Sequence, residues 1–265
     1  LHDALPIWVH VLCEKPLALD AQQADRLATA AESVPSVTAV NLQLRYDVVL
    51  RRLRELLSAG AIGRPLFASV RINVDRVLDA AWHWTHDVRQ GGGVVMEFGT
   101  HYLDVLRWLL GPLEVSSATA RTLITPRLRQ DGRPAPVTSE DWAQASLLAA
   151  GELPVSMEIA PTWDPRTGRE LVVVGTEGSL RADIGVLHLR ESSGRSHDVT
   201  PEGYDIENWV AGSMAALFQD LCSHLREPMT GNGPGAGEWA TFREAAEIQR
   251  LVDRIRLRPS GEENR

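Results

Sequence analysis

The sequence is poor in the features that mark membrane, secreted and nucleic-acid-binding proteins. No apolar run approaches the roughly 20 residues of a membrane-spanning helix. Only two cysteines occur, Cys13 and Cys222, and their spacing fits neither a disulfide framework nor a thiolate zinc site. No basic stripe is visible, and the formal net charge is -8. These absences predict an ordinary globular protein of a reducing, cytoplasmic compartment, with 265 residues for a packed core.

The beginning of the chain is unusual. It opens with Leu1, has no charged segment followed by an apolar stretch, and shows a strand-like pattern almost at once, at residues 9–13. Residues 1–7 form no clear element. We expect a chain whose upstream sequence is missing and whose first residues include some that are not native.

The first part of the chain reads as strand, helix, strand. Residues 9–13 and 37–42 are mostly apolar, as buried strands are, and residues 21–33 form an alanine-rich helix pattern that starts at the N-cap Asp20. This order at this spacing is a βαβ unit, which predicts a parallel sheet. Residues 46–59 follow with a helix period, and Gly60 suits the end of that helix.

The middle of the chain changes character. A strand at residues 66–74 is followed by residues 90–110, which contain a glycine turn and a long helix. After them, alternating segments are separated by short glycine turns, which predicts an antiparallel sheet. Prolines interrupt residues 126–139, which we expect to be a loop. The strands are predicted at residues 115–124, 143–150, 154–161, 169–174, 179–184 and 186–191, and two helices at 206–227 and 238–257.

The most informative segment spans residues 91–104. Three glycines lead into a helix pattern in which Glu97, His101 and Asp104 are spaced by four and three, which places their side chains on one face. A carboxylate bonded to one ring nitrogen of a histidine fixes its tautomer and raises the basicity of the other nitrogen. The pattern predicts a histidine general base, and a surface helix with ordinary charges is the alternative.

Lys15 stands at the end of the first predicted strand, between Glu14 and Pro16. In open parallel sheets, ligands bind outside the carboxyl ends of the strands, so a lysine there can reach a cofactor and a substrate together. A solvated lysine at a strand end is the alternative. Pro16 fixes the turn, and its peptide bond is a candidate for the cis form.

Other polar and aromatic residues are weaker candidates. Arg45 and Tyr46 follow the second strand, and Trp82 and His83 belong to an aromatic cluster that suits a polyhydroxylated ligand. A salt bridge and a cap on the core are the respective alternatives, but we predict all four residues as substrate-binding. A metal site is not predicted, because the helix has no HExxH pattern and the cysteines are distant.

Taken together, these motifs resemble the Gfo/Idh/MocA oxidoreductases, the family of glucose–fructose oxidoreductase, inositol dehydrogenase and their relatives. Residues 11–18 resemble the family's EKP motif, and residues 91–111 resemble its second motif. Residues 41–46 are similar to the segment that links its two domains, and residues 175–180 to a turn in its second-domain sheet. The resemblance extends from about residue 8 to about residue 257.

The resemblance implies an α/β fold in two parts. Residues 1–45 would be the remnant of a Rossmann parallel sheet, and residues 46–265 an α+β domain with an open, mainly antiparallel sheet for substrate binding and oligomerisation. The cofactor would be NAD or NADP. The family's glycine-rich phosphate loop should lie upstream of residue 1, so the chain as given is not expected to hold the whole cofactor.

The resemblance also implies roles for the motif residues. Lys15 would contact substrate and nicotinamide, with Glu14 and Pro16 beside the cofactor, and His101 would be the acid/base. The acidic residue one turn before this histidine is usually Asp in the family, whereas here it is Glu97. Asp104 would support the catalytic group.

The resulting hypothesis is an NAD(P)-dependent dehydrogenase or reductase that acts on a hydroxyl-bearing carbon of a sugar, cyclitol or related polyol. Its partners would be a small polyhydroxylated substrate and further copies of itself, with no nucleic acid or membrane. Two alternatives stay open. One is a non-catalytic ligand-binding or scaffold protein of the same fold, and the other is a metal-dependent lyase or isomerase.

Overall fold

The computed structural model describes residues 9–75, 77, 81–163, 168–205, 207–226 and 237–256. The expectation about residues 1–7 lies outside these ranges. Among the described residues, no helix combines the length and the apolar character needed to cross a bilayer.

The first elements form the predicted βαβ unit. Strands β1 (Val11–Cys13) and β2 (Thr38–Val40) pair in parallel, and helix α1 (Ala21–Glu32) connects them. The carboxylate of Asp20 accepts a hydrogen bond from the Gln23 amide at 2.7 Å, which confirms the predicted N-cap. The carboxyl ends of both strands therefore lie at the same edge of this small sheet.

Most of the remaining strands build one large sheet. Within the described residues it has eight strands in the order β12-β11-β10-β9-β3-β8-β7-β4, and only the pair β3–β8 is parallel. The prediction of a mainly antiparallel sheet is confirmed. The strands are β3 (Pro65–Val74), β4 (Leu113–Arg121), β7 (Trp142–Ala149), β8 (Leu153–Pro161), β9 (Arg169–Gly175), β10 (Gly178–Asp183), β11 (Val186–Glu191) and β12 (Ser196–Asp198).

Alternating side chains give the large sheet one buried face. Along β3, for example, Ala68, Val70 and Ile72 are buried, whereas Arg71 is exposed and forms an ion pair with Glu158 of the neighbouring β8. The period of two in the sequence therefore decides which face meets the core. Helices α2 (Val48–Ser58), α3 (Thr100–Leu110) and α5 (Phe242–Arg256) contribute to that core, and α4 is Trp209–Arg226.

The last helix also packs against the first. Ala24 and Ala28 of α1 share a buried cluster with Phe242 and Ala246 of α5. The small alanine side chains let the two helices approach closely. Since residues from both ends of the chain build this cluster, the division at residue 45 stays a prediction.

Two sequence predictions need correction. The long helix predicted within residues 90–110 is not one regular α-helix, because a π-helix (Val95–Gly99) precedes α3. A short 3-10 turn (Val88–Gln90) precedes the glycines. The loop over residues 126–139 holds a small two-stranded ribbon, β5 (Arg127–Leu128) and β6 (Pro134–Ala135). In both places local hydrogen bonds, rather than the apolar pattern, decide the conformation.

Candidate active site

The glycine turn allows a buried ion pair to start the helix that carries His101. A Cβ on Gly93, whose φ is +117°, would lie 2.2 Å from Glu140 Oε1. That carboxylate accepts a hydrogen bond from the Val95 amide at 3.1 Å and pairs with Arg256 at 3.2 Å. A side chain at position 93 would collide with this carboxylate, so the turn requires glycine there.

The π-helix changes the geometry that the sequence spacing suggests. The Thr100 amide donates to the Val95 carbonyl, five residues back, instead of to Met96. Residues four apart are therefore no longer aligned as they are in an α-helix across this turn, which contains Glu97. π-Turns of this kind are frequent at functional sites.

Lys15 reaches this π-helix from the other end of the sequence. It follows β1, its peptide bond with Pro16 is cis, as predicted, and its Nζ donates to the backbone carbonyl of Glu97 at 2.7 Å. Burial lowers the pKa of Lys15, and Arg169 lowers it further, although Glu14 opposes both. The structure therefore brings the two sequence motifs together.

His101 is the titratable group at the centre of this arrangement. Burial lowers its pKa well below 6.5, and the charges of Lys15 and Arg169 lower it further. Its Nδ1 is buried and has no hydrogen-bond partner within the described part of the chain. The residue as a whole is only half-buried, which leaves Nε2 as the ring nitrogen that can meet a ligand. The imidazole is neutral near pH 7 and able to accept a proton.

Asp104 does not orient this imidazole. Its two oxygens accept hydrogen bonds from Arg45 Nε at 2.9 Å and Nη2 at 2.5 Å, and both side chains are buried. Burial raises the pKa of Asp104, although Arg45 opposes the rise. The expectation that Asp104 raises the basicity of His101 is wrong: within the described residues, the charges that shift the pKa of His101 are those of Lys15 and Arg169, and both lower it.

The four residues predicted to bind substrate have protein partners. Arg45 holds Asp104, and the Tyr46 hydroxyl donates to Asp220 at 2.5 Å. Trp82 Nε1 donates to the Pro136 carbonyl at 3.1 Å, and His83 Nδ1 lies 2.7 Å from the Thr85 hydroxyl. None of these contacts joins the Lys15–His101 cluster, so their role toward substrate stays a prediction.

Two signals were missed by the motif analysis. Arg169, the first residue of β9, is close enough to shift the pKa of both Lys15 and His101. Lys15 is also the only lysine in the chain, whose other cationic side chains are 26 arginines. An amine at this one position, in a protein that otherwise uses guanidinium groups, marks Lys15 as unusual.

The carboxyl ends of β1 and β2 offer further polar groups. Asn41 Nδ2 donates to Glu14 Oε1 at 2.7 Å, and the Asn41 amide donates to the Cys13 carbonyl at 2.8 Å. Asn41 Oδ1 is buried and has no hydrogen-bond partner among the residues described. Within the same residues, no three His, Cys, Asp or Glu side chains are grouped so that they could hold a metal ion.

Comparison with known proteins agrees with this geometry. Residues 50–181 match the family model of the GFO/IDH/MocA C-terminal domain. An oxidoreductase of Synechocystis sp. is 30% identical over 179 residues, which are 64% of this chain and 47% of that protein. The 1,5-anhydro-D-fructose reductase of Ensifer adhaerens is 27% identical over 240 residues, which are 87% of this chain and 67% of that protein.

A solved structure extends the comparison to nearly the whole chain. Levoglucosan dehydrogenase, in a complex with NADH and L-sorbose, is similar with a TM-score of 0.80 at 20% identity, over 96% of this chain and 72% of that one. This likeness establishes the fold. The chain spans about half the length of the Synechocystis relative.

Proposed function

Because the chain belongs to the Gfo/Idh/MocA family of oxidoreductases, we propose that it serves a hydride transfer between NAD or NADP and a hydroxyl-bearing carbon. The substrate would be a sugar, a cyclitol or a related polyol. The names of the relatives support this class, since one reduces 1,5-anhydro-D-fructose and a structural neighbour binds NADH with L-sorbose.

The observation that carries the proposal is the meeting of Lys15 and His101. Lys15 Nζ is bonded to the Glu97 carbonyl, in the turn before His101, and its charge lowers the pKa of that imidazole. An amine and a neutral imidazole that are this close can act on the same hydroxyl group. Both distant motifs of the sequence therefore contribute to one site.

Proton transfer is the part of the chemistry that these side chains perform. In the direction of oxidation, His101 accepts the hydroxyl proton at Nε2. The ammonium group of Lys15 stabilises the negative charge that develops on the substrate oxygen. The lowered pKa keeps the imidazole unprotonated at neutral pH, which is the state that a proton acceptor needs.

The residues at the edge of the small sheet fit the nicotinamide end of the cofactor. Glu14, Lys15 and Pro16 follow β1, Asn41 follows β2, and the unpartnered Oδ1 of Asn41 is an acceptor suited to an amide donor. The bound nicotinamide supplies the acceptor or donor of the hydride. Lys15 would position the substrate oxygen beside it.

Substitution of His101 tests the proposal. In the full-length protein we expect His101→Gln to lower turnover of a polyol about 10²–10⁴-fold, because the proton acceptor is lost. Formation of reduced nicotinamide is followed by absorbance, and His188→Gln, at an exposed position of β11, is the matched control. Undiminished turnover in His101→Gln would reject the role, and nicotinamide binding without any turnover would favour the scaffold alternative.

A further inference from the structure

Arg169 is fixed beside the helix that carries His101. It opens β9 and pairs in register with Ile72 of the central strand β3. Its guanidinium carbon lies 5.7 Å from the ring centre of Phe98, and the guanidinium group donates a hydrogen bond to the Tyr102 hydroxyl. Since Phe98 and Tyr102 stand three residues before and one after His101, Arg169 is held next to the imidazole.

A second aromatic ring completes the support of Arg169. The ring centre of Trp209, at the start of α4, lies 5.3 Å from its guanidinium carbon. Cation–π contacts of this kind hold a guanidinium without neutralising its charge. The same side chain lines a small cavity with Tyr102 and Trp209, and neither Lys15 nor His101 lines that cavity.

Lys15 and Arg169 bring two positive charges to His101, and of the nearby carboxylates Glu14 raises the pKa of Lys15. In the part of the chain that the structure describes, neither side chain forms an ion pair. The carboxylates of Asp47 and Asp183 line the same cavity as Arg169, and both raise the pKa of Tyr102. Asp47 already accepts hydrogen bonds from the Leu50 amide and from Tyr204.

Two unpaired cations around a neutral base favour a negatively charged ligand. We propose that the substrate is an acidic polyol, and that Arg169 binds its carboxylate while Lys15 and His101 meet the reacting hydroxyl. The planar guanidinium matches a carboxylate with two parallel hydrogen bonds, which a neutral sugar cannot offer. This inference rests on the proposed function for the identity of the reacting hydroxyl, but not for the binding of the acid.

Binding measurements on matched pairs of ligands test the inference. The full-length protein is titrated by calorimetry with D-glucose and D-glucuronate, and with D-galactose and D-galacturonate. We expect at least one acid to bind about 10-fold or more tightly than its neutral partner, as a charged hydrogen bond provides. If no acid in the panel binds more tightly than its neutral partner, the inference is rejected.

Variants identify the responsible side chain. Arg169→Leu should abolish the preference for the acid, whereas Arg181→Leu, which removes an exposed arginine paired with Glu170, should retain it. If Arg169→Leu does not fold, Arg169→Lys is measured instead. It keeps the charge and should show a weakened preference for the acid. A preference that survives in Arg169→Leu, or a tighter affinity for D-glucose 6-phosphate than for D-glucuronate, would overturn the assignment of a carboxylate to Arg169.

The same data separate this inference from the proposed function. An acid preference that depends on Arg169, in a protein that turns over no polyol, would leave the inference standing and reject the oxidoreductase. Turnover of neutral polyols by a protein that binds no acid more tightly than its neutral partner would do the reverse.

Discussion

Two groups of charges, one turn apart near the start of helix α3, are built in opposite ways. Asp104 is fully buried and forms two hydrogen bonds with Arg45, whose guanidinium also lies 3.3 Å from Glu244. Beside His101, by contrast, Lys15 donates to a backbone carbonyl and, among the residues that the structure describes, forms no ion pair, while Arg169 contacts aromatic rings and a hydroxyl. We call Asp104, Arg45 and Glu244 the paired group. His101, Lys15 and Arg169 form the unpaired group.

The difference indicates which charges are available for chemistry. In the paired group, each charge is neutralised by protein, and the hydrogen bonds fix α3 to the segment after β2. In the unpaired group, burial and mutual repulsion lower the pKa values of both Lys15 and His101. Such a group is unfavourable in the empty site and becomes favourable when a ligand brings negative charge, as active sites often do.

The largest effect is expected from breaking the paired group. Asp104→Ala leaves the buried guanidinium of Arg45 with Glu244 as its nearest carboxylate. We expect the free energy of unfolding to fall by about 3 kcal/mol or more, since an unpaired buried charge costs about 3–5 kcal/mol. Urea denaturation measures the loss.

Asp131→Ala is the matched control, because that carboxylate forms an exposed ion pair with Arg133. It should change the stability by less than about 0.5 kcal/mol. A loss below about 1 kcal/mol in Asp104→Ala would contradict the view that the paired group is structural.

The unpaired group predicts a dependence of stability on pH. The folded protein holds His101 with a pKa below 6.5, whereas the unfolded chain has the ordinary value. Between these two pKa values only the unfolded state binds the proton, so stability falls as the pH falls below 6.5. One proton contributes a slope of at most about 1.4 kcal/mol per pH unit.

Urea denaturation of the wild type and of His101→Gln at several pH values isolates this slope. The difference between the two proteins removes the contributions of the carboxylates, which titrate in both. His188→Gln should keep the wild-type slope, because His188 is exposed. Equal slopes in the wild type and His101→Gln would show that the imidazole is not shifted by folding.

Much of this fold is readable from the sequence, because apolar periodicity and turn residues report local structure. The parallel pair β1–β2, the N-cap Asp20 and the strands of the large sheet follow such signals. The association of Lys15 with His101 came from the family resemblance, since no local pattern joins residues that are 86 positions apart in the printed sequence.

The rest depends on tertiary contacts. Regular α-helical spacing predicts Glu97, His101 and Asp104 on one face. In the structure, the π-turn changes the position of Glu97 relative to His101, and Asp104 accepts a hydrogen bond from Arg45 instead. Arg169 carries no motif of its own, and only the pairing of β9 with β3 brings it to the site. A sequence reveals candidate charges, whereas their partners emerge only in the folded molecule.

Removing the charge of Lys15 tests the unpaired group through one quantity, the pKa of His101. Lys15→Met should raise the pKa of His101 toward 6.5, because the charge of Lys15 is one of the causes that lower it. The pKa should stay below 6.5, since burial is the larger cause. Nuclear magnetic resonance of the imidazole over a pH series measures the shift, with Arg181→Met as the control. An unchanged pKa in Lys15→Met would mean that the two groups do not share a site.

The smallest effect is expected from an exposed arginine–carboxylate ion pair, which has the same chemistry as the buried pair of Arg45 and Asp104. Arg52 and Glu55 approach to 2.9 Å on α2, with side chains 43% and 65% exposed, whereas those of Arg45 and Asp104 are 4% and 0% exposed. Water screens the exposed pair, and ordering two long side chains costs entropy, so a double-mutant cycle with alanine should give a coupling of about 0.5 kcal/mol or less. The same cycle on Arg45 and Asp104 should give a much larger coupling. Similar values for both pairs would show that hydrogen-bond geometry, and not burial, separates the paired group from an ordinary surface contact.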